Sequence, residues 1–166
     1  MHILWVAVVC GLRRLRKDEM MLLEGLLNRG SLPVLQQVMG FTEARHEVLV
    51  NNISNFDTVG YKVKDLPEEE FFSALREAVD QREGKGAGAA LEMKSTRHLQ
   101  WDSNGGLESE PAELRDNNIL FHDGNNRFVE KQMSALAKNG ILHNVATELL
   151  RQQYGLLKSA ISGRIA

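Results

Sequence analysis

The chain has one cysteine, Cys10, so it cannot close an internal disulfide, and the cross-linked framework of small secreted domains is excluded. It also lacks a long apolar run. Ile3 to Leu12 (ILWVAVVCGL) spans ten residues, where a membrane-crossing helix needs roughly 20. The positive residues near this run follow it instead of preceding it, and no small-residue cleavage site appears, so it does not read as a secretory signal. Charge of one sign is missing too: 20 basic residues face 22 acidic ones, a net charge of −2. The only dense basic cluster is Arg13, Arg14, Arg16 and Lys17, which is no footprint for nucleic acid. The two tryptophans, Trp5 and Trp101, stand too far apart to form a base-stacking platform.

What is present is ordinary globular composition, 43% hydrophobic and 25% charged, in a length that suits one domain. Residues 1–19 read as an over-extended start or a short apolar and basic leader, with translation expected to begin at Met20 or Met21. That shorter chain loses four basic and two acidic residues together with Cys10, leaving 16 basic against 20 acidic residues and no thiol.

Residues 20–66 hold the first long helix and its exit. Ser31 is an N-cap residue and Pro33 sits in the first turn, where its missing N–H costs nothing, so the helix should begin near Leu32. Leu35, Met39, Thr42, His46, Leu49, Ile53 and Phe56 alternate in spacing by four and three, the heptad signature of one helix packing along another. Residues 67–83 form a shorter acidic amphipathic helix opened by Pro67 and Glu68 to Glu70, with Phe71, Phe72, Leu75 and Val79 on its apolar face. Residues 84–118 begin with GKGAGAA and keep no sustained period, which marks a flexible linker or insertion. Residues 119–166 open with a possible strand, ILFH, and a turn at Asp123 to Asn126. A second long seam follows: Val129, Met133, Leu136, Gly140, His143, Thr147, Leu150, Tyr154, Leu157 and Ile161. The fold class is therefore mainly α, with long terminal amphipathic helices packing as a coiled-coil-like pair around a weakly structured middle. Thr42, His46, His143 and Thr147 make both seams partly polar, so their burial depends on tertiary or intermolecular partners.

Catalytic patterns fail one after another. Gly84, Gly86 and Gly88 follow a charged helix instead of a strand, which excludes a dinucleotide fingerprint, and Val79 stands where a phosphate-binding loop needs its leading glycine. The five histidines are scattered, without the i, i+4 pairing or nearby cysteines of common zinc sites. His46 and His143 fall on the two seams and read as packing histidines that can face each other. There is no nucleophile elbow of the G-x-S-x-G type, and Glu68 to Glu70 suit a helix N-terminus better than paired acid and base work. These absences argue for an interaction or structural protein with no cofactor, metal, nucleic acid or small-molecule substrate. From the helices alone, a soluble helical adaptor or export chaperone in the cytoplasm stays open as the alternative.

The stretch VNNISNFDTVGYK, residues 50 to 62, narrows the choice. Asn51, Asn52, Ile53, Asn55, Thr58, Gly60, Tyr61 and Lys62, at the end of an N-terminal amphipathic helix, resemble the A-N-N-I-A-N-x-x-T-x-G-Y-K motif of bacterial flagellar rod and hook axial proteins. TEARHEVLVNNISN upstream, Asp123-Gly124-Asn125-Asn126 before the last helix and the ending YGLLKSAISGR are similar to the short proximal-rod members. The resemblance covers about residues 22–83 and 117–165. Val50 and Ser54 replace the usual alanines, Val59 a common proline, and Phe128 a usual acidic residue. Distal rod and hook relatives carry a β-rich domain between the terminal helices, for which this chain has no room.

The resemblance implies a non-enzymatic subunit of the rod that crosses the periplasm. It implies export through the flagellar type III apparatus without a cleaved signal peptide, and helical self-association through the terminal helices to transmit torque. The implied partners are other rod subunits, the membrane-embedded ring protein, export gate components and a hook–basal-body complex protein.

Overall fold

A computed structural model of the chain describes residues 30–86, 89–102, 106–114 and 129–163. The expected leader, the ILFH strand and the Asp123 to Asn126 turn lie outside the described residues. Helix α1 runs Leu32–Ser54, strand β1 Lys64–Asp65, helix α2 Glu68–Lys85, strand β2 Leu99–Trp101, strand β3 Leu107–Ser109, strand β4 Ala112–Glu113 and helix α3 Val129–Ser162. The protein is mainly helical.

Helix α1 starts where Ser31 and Pro33 place it. Leu35 N–H closes the first turn on the Ser31 carbonyl at 2.9 Å, and the Ser31 side chain makes no capping bond. Gly30, just before the helix, takes the left-handed conformation at φ +79°. Helix α2 opens on Pro67 with Glu68, Glu69 and Glu70 in its first turn and Arg82 and Lys85 in its last, the distribution its dipole favours. It runs two residues past the expected end before Gly86 closes it at φ +95°.

Helices α1 and α3 lie antiparallel: Gln36 at the start of α1 bonds Tyr154 near the end of α3, whereas Asn52 at the end of α1 bonds Gln132 near the start of α3. Between α2 and α3 the described residues form only strands of two or three residues. Strands β2 and β3 pair as an antiparallel hairpin with Trp101 opposite Leu107, and β1 pairs with β4 with Asp65 opposite Ala112.

The core sits where α1 meets α2, the hairpin and α3. Val38, Phe41, Leu66, Phe71, Leu75, Leu99 and Ala146 form one buried cluster, with Leu91, Met93, Trp101 and Leu107 packed on its edge. Phe41 and Phe71 stack with ring centroids 4.1 Å apart, and Phe72 meets both rings edge-on. Full burial of each such ring stabilises the fold by about 2–3 kcal/mol. Trp101 Nε1–H donates to Gln37 Oε1 at 2.8 Å and ties the hairpin to α1. Residues outside both long seams thus supply much of the core.

Candidate functional site

The polar stretch 51–62 is a helix exit organised by one side chain. Asn52 is buried and uses both ends of its carboxamide. Its Nδ2 donates to the Lys64 carbonyl at 2.6 Å and to Gln132 Oε1 at 3.0 Å. Its Oδ1 accepts from the Tyr61 hydroxyl and from Lys64 N–H, each at 3.1 Å. Those four bonds close the loop 55–63 back onto α1 and join it to α3, and they leave neither end of the buried Asn52 carboxamide unpaired. Asparagine is the residue that fits, because only a carboxamide of this length supplies two donors and an acceptor from one turn of helix.

The rest of the motif shapes the turn around that anchor. Asn55 caps α1 twice on the Asn51 carbonyl, through its backbone N–H at 3.1 Å and its Nδ2 at 2.9 Å. Thr58 N–H donates to the Asn55 carbonyl at 3.0 Å, and Tyr61 N–H to the Thr58 carbonyl at 3.2 Å. Gly60 adopts φ +77°, a left-handed conformation that a β-carbon disfavours. Ile53 is half-buried, Asn51 is exposed, and Lys62 pairs loosely with Glu113 at 3.4 Å. Val59 projects to solvent at 80% exposure.

A second cluster locks the same end of the molecule. Buried Arg45 donates from Nε and Nη2 to the two oxygens of Asp65 at 2.8 and 2.7 Å, and from Nη1 to Glu68 Oε1. Glu68 Oε2 accepts from Lys138 at 2.9 Å. The network therefore joins α1, β1, α2 and α3. Burial by itself would lift the Glu68 pKa, but the Lys138 hydrogen bond and the charges of Arg45 and Lys138 outweigh it and hold the carboxyl below its ordinary value. Burial likewise opposes the Arg45 charge, and the Asp65 and Glu68 carboxylates overcome it, raising the guanidinium pKa.

Along the seam, Thr42 is the polar centre. Its hydroxyl donates its one hydrogen to the Met39 carbonyl at 2.9 Å, so toward His143 Nδ1, 3.0 Å away, it acts as acceptor. Asn139 Nδ2 donates to the Thr42 carbonyl at 2.7 Å. His46 and His143 line one cavity of about 330 Å³ with Thr42, Glu43, Asn139, Gly140 and Asn144. Among the described residues no three His, Cys, Asp or Glu side chains are placed to hold a metal ion. Gly140 admits no close neighbour: a β-carbon there would meet nothing within 4 Å.

Leu49 is fully buried, while Leu35, Met39, Val129, Leu136, Leu150 and Leu157 are half-buried. Met133 and Ile161 instead point outward. The inward line on α3 is Gln132, Leu136, Asn139, His143, Ala146 and Leu150. It shares alternate positions with the line read from the sequence and is one residue earlier at the others. At 132/133 and 139/140 the heptad count took the less polar neighbour, whereas the fold turns Gln132 and Asn139 inward, where Asn52 and the Thr42 carbonyl offer them partners.

Comparison with characterised sequences bears on this geometry. No family model matches the chain. The flagellar basal body rod protein FlgB of Escherichia coli strain K12 is 30% identical over 134 residues, spanning 78% of this chain and 83% of its own length. The chain belongs to the FlgB family. FlgB of Yersinia enterocolitica is 26% identical over 131 residues, 75% of this chain and 88% of its own. FlgB of Bacillus subtilis strain 168 is 24% identical over 134 residues, 81% of this chain and 95% of its own.

Within this FlgB-family chain, sequence reading missed Arg45, Gln132 and Asn139. Arg45 lies on neither seam, and its carboxylate partners are 20 and 23 residues away. The available signal was an arginine in an otherwise apolar helical register, followed by Asp65 and Glu68 flanking a proline.

Proposed function

We propose that the chain is a structural subunit of the flagellar basal body rod. It leaves the cell through the flagellar type III apparatus without a cleaved signal peptide, occupies the periplasmic rod, and joins neighbouring subunits helically through α1 and α3 to transmit torque. Its partners are other rod subunits, the membrane-embedded ring protein, export gate components and a hook–basal-body complex protein. Carrying this reading is Asn52, the motif residue whose four hydrogen bonds fix how the chain leaves one terminal helix and docks on the other. Similarity to FlgB proteins along most of the chain supports it.

The seam chemistry suits the role. With Gln132, Asn139 and Thr42 inside, the helix pair has a defined register but limited apolar burial, because polar seam residues specify alignment at a cost in stability. Such a pair unfolds readily for passage through a narrow channel and gains stability when neighbours cover it. Heterologous contacts repeated from subunit to subunit then build a helical stack.

In-frame deletion of the gene should abolish motility and stop basal bodies before the rod, with recovery by the intact chain and not by a chain lacking residues 129–163. Normal hooks on the deletion strain would overturn the proposal.

A further inference from the structure

Helix α3 carries seven of the eleven large apolar side chains exposed among the described residues, and four of them line up. Ile141, Val145, Leu149 and Leu156 are 66%, 52%, 43% and 59% exposed, and at 100° per residue they fall within an arc of about 80°. Gln152 occupies the intervening step, so the stripe is uncharged for about 22 Å. None of the four belongs to the packed core.

We propose that this stripe docks a second copy of the same chain, the two α3 helices lying antiparallel about a two-fold axis between residues 148 and 149. The spacing selects this occupant. Reversing the helix about that point sets Ile141 opposite Leu156 and Val145 opposite Gln152, with Leu149 of each copy beside the axis. The stripe is thus close to its own complement, as an isologous contact requires.

Flanking charge selects the direction. Glu148 and Arg151 border the stripe, are 77% and 75% exposed, and touch each other only at 3.9 Å within the helix. Antiparallel copies place each Glu148 beside the other copy's Arg151, giving two symmetry-related pairs. Parallel copies would set this flank of one helix against the opposite flank of the other, so Glu148 and Arg151 would not meet across the contact. Four apolar side chains per copy make a small contact beside the roughly 800 Å² per partner of a stable complex, so the dimer is weak and exchanges quickly.

A closed pair does not grow, whereas the rod contacts proposed above repeat head to tail. The dimer therefore masks an apolar face until a subunit is taken up by the growing structure. That consequence rests on the rod-subunit reading; the dimer itself does not.

Sedimentation velocity of the full chain, with Cys10→Ser to remove the native thiol, tests the contact between about 10 µM and 1 mM, the range of weak association. The expected result is a concentration-dependent shift from monomer to dimer, with Leu149→Glu and Val145→Glu each raising Kd at least about tenfold while circular dichroism stays unchanged. A short bismaleimide should join Leu149→Cys to itself, and Ile141→Cys to Leu156→Cys on a separate chain. Monomer throughout, a dimer indifferent to Leu149→Glu, or cross-linking of Ile141→Cys to itself would each overturn the proposal. A monomeric chain found in basal bodies refutes only the dimer; a dimer missing from basal bodies refutes only the rod role.

Discussion

Asn52→Ala is the perturbation that asks most of the structure. It deletes four hydrogen bonds at a buried position: two to Lys64 main-chain groups, one to Tyr61 and one to Gln132. A typical bond contributes about 1 kcal/mol net, and an orphaned buried partner costs more. Lys64 is exposed and Tyr61 half-buried, so water recovers part of the loss, whereas Gln132 is buried and has little access to solvent. The expected destabilisation is about 3 kcal/mol, a large share of the 5–15 kcal/mol typical of a whole domain. Urea unfolding followed by far-ultraviolet circular dichroism should show a lower midpoint at unchanged slope. Gln132→Ala alone should cost about 1 kcal/mol, and the double variant should cost less than the two singles together, since both remove the same bond. A loss below about 1 kcal/mol for Asn52→Ala, or strict additivity with Gln132→Ala, would refute Asn52 as the anchor of the helix exit.

The remaining predictions concern the ion network and the seam. Arg45→Met should destabilise the fold by about 2 kcal/mol or more in urea titrations, because it takes the paired guanidinium from Asp65 and leaves Glu68 with Lys138 alone. Arg45→Lys should recover only part of that, since an ammonium cannot make the two-pronged Asp65 contact. The depressed Glu68 pKa contributes stability above the ordinary glutamate pKa, and this is lost as pH falls through the lower folded value; stability measured against pH should decline there, and less steeply in Glu68→Gln. Gly140→Ala should stabilise the monomer by about 1 kcal/mol, read as a raised thermal midpoint, because the added methyl meets no neighbouring element within 4 Å and alanine replaces one of the two glycines inside the helix.

Helices were legible in this sequence to the extent that their signals are local. Ser31 with Pro33 marked the start of α1, and Pro67 with three glutamates the start of α2. Strands of two or three residues offer no period to detect, so nothing before the fold showed that Leu99 is fully buried or that Trp101 reaches Gln37. The 51–62 stretch declared a family through its residue types, but not that Asn52 faces inward while neighbouring Asn51 faces water. That distinction depends on Lys64, Tyr61 and Gln132 converging from three places in the chain. Arg45 was invisible for the same reason: hydrophobic periodicity cannot nominate a charge for the interior, and only its distant carboxylates justify placing one there.

The central claim is that this chain is built into the flagellar rod. Quantitative mass spectrometry of purified hook–basal bodies tests it directly. The account predicts the protein there in a fixed ratio to the other rod components. Intact basal bodies without it, while the protein accumulates in the cytoplasm of the same cells, would contradict the account.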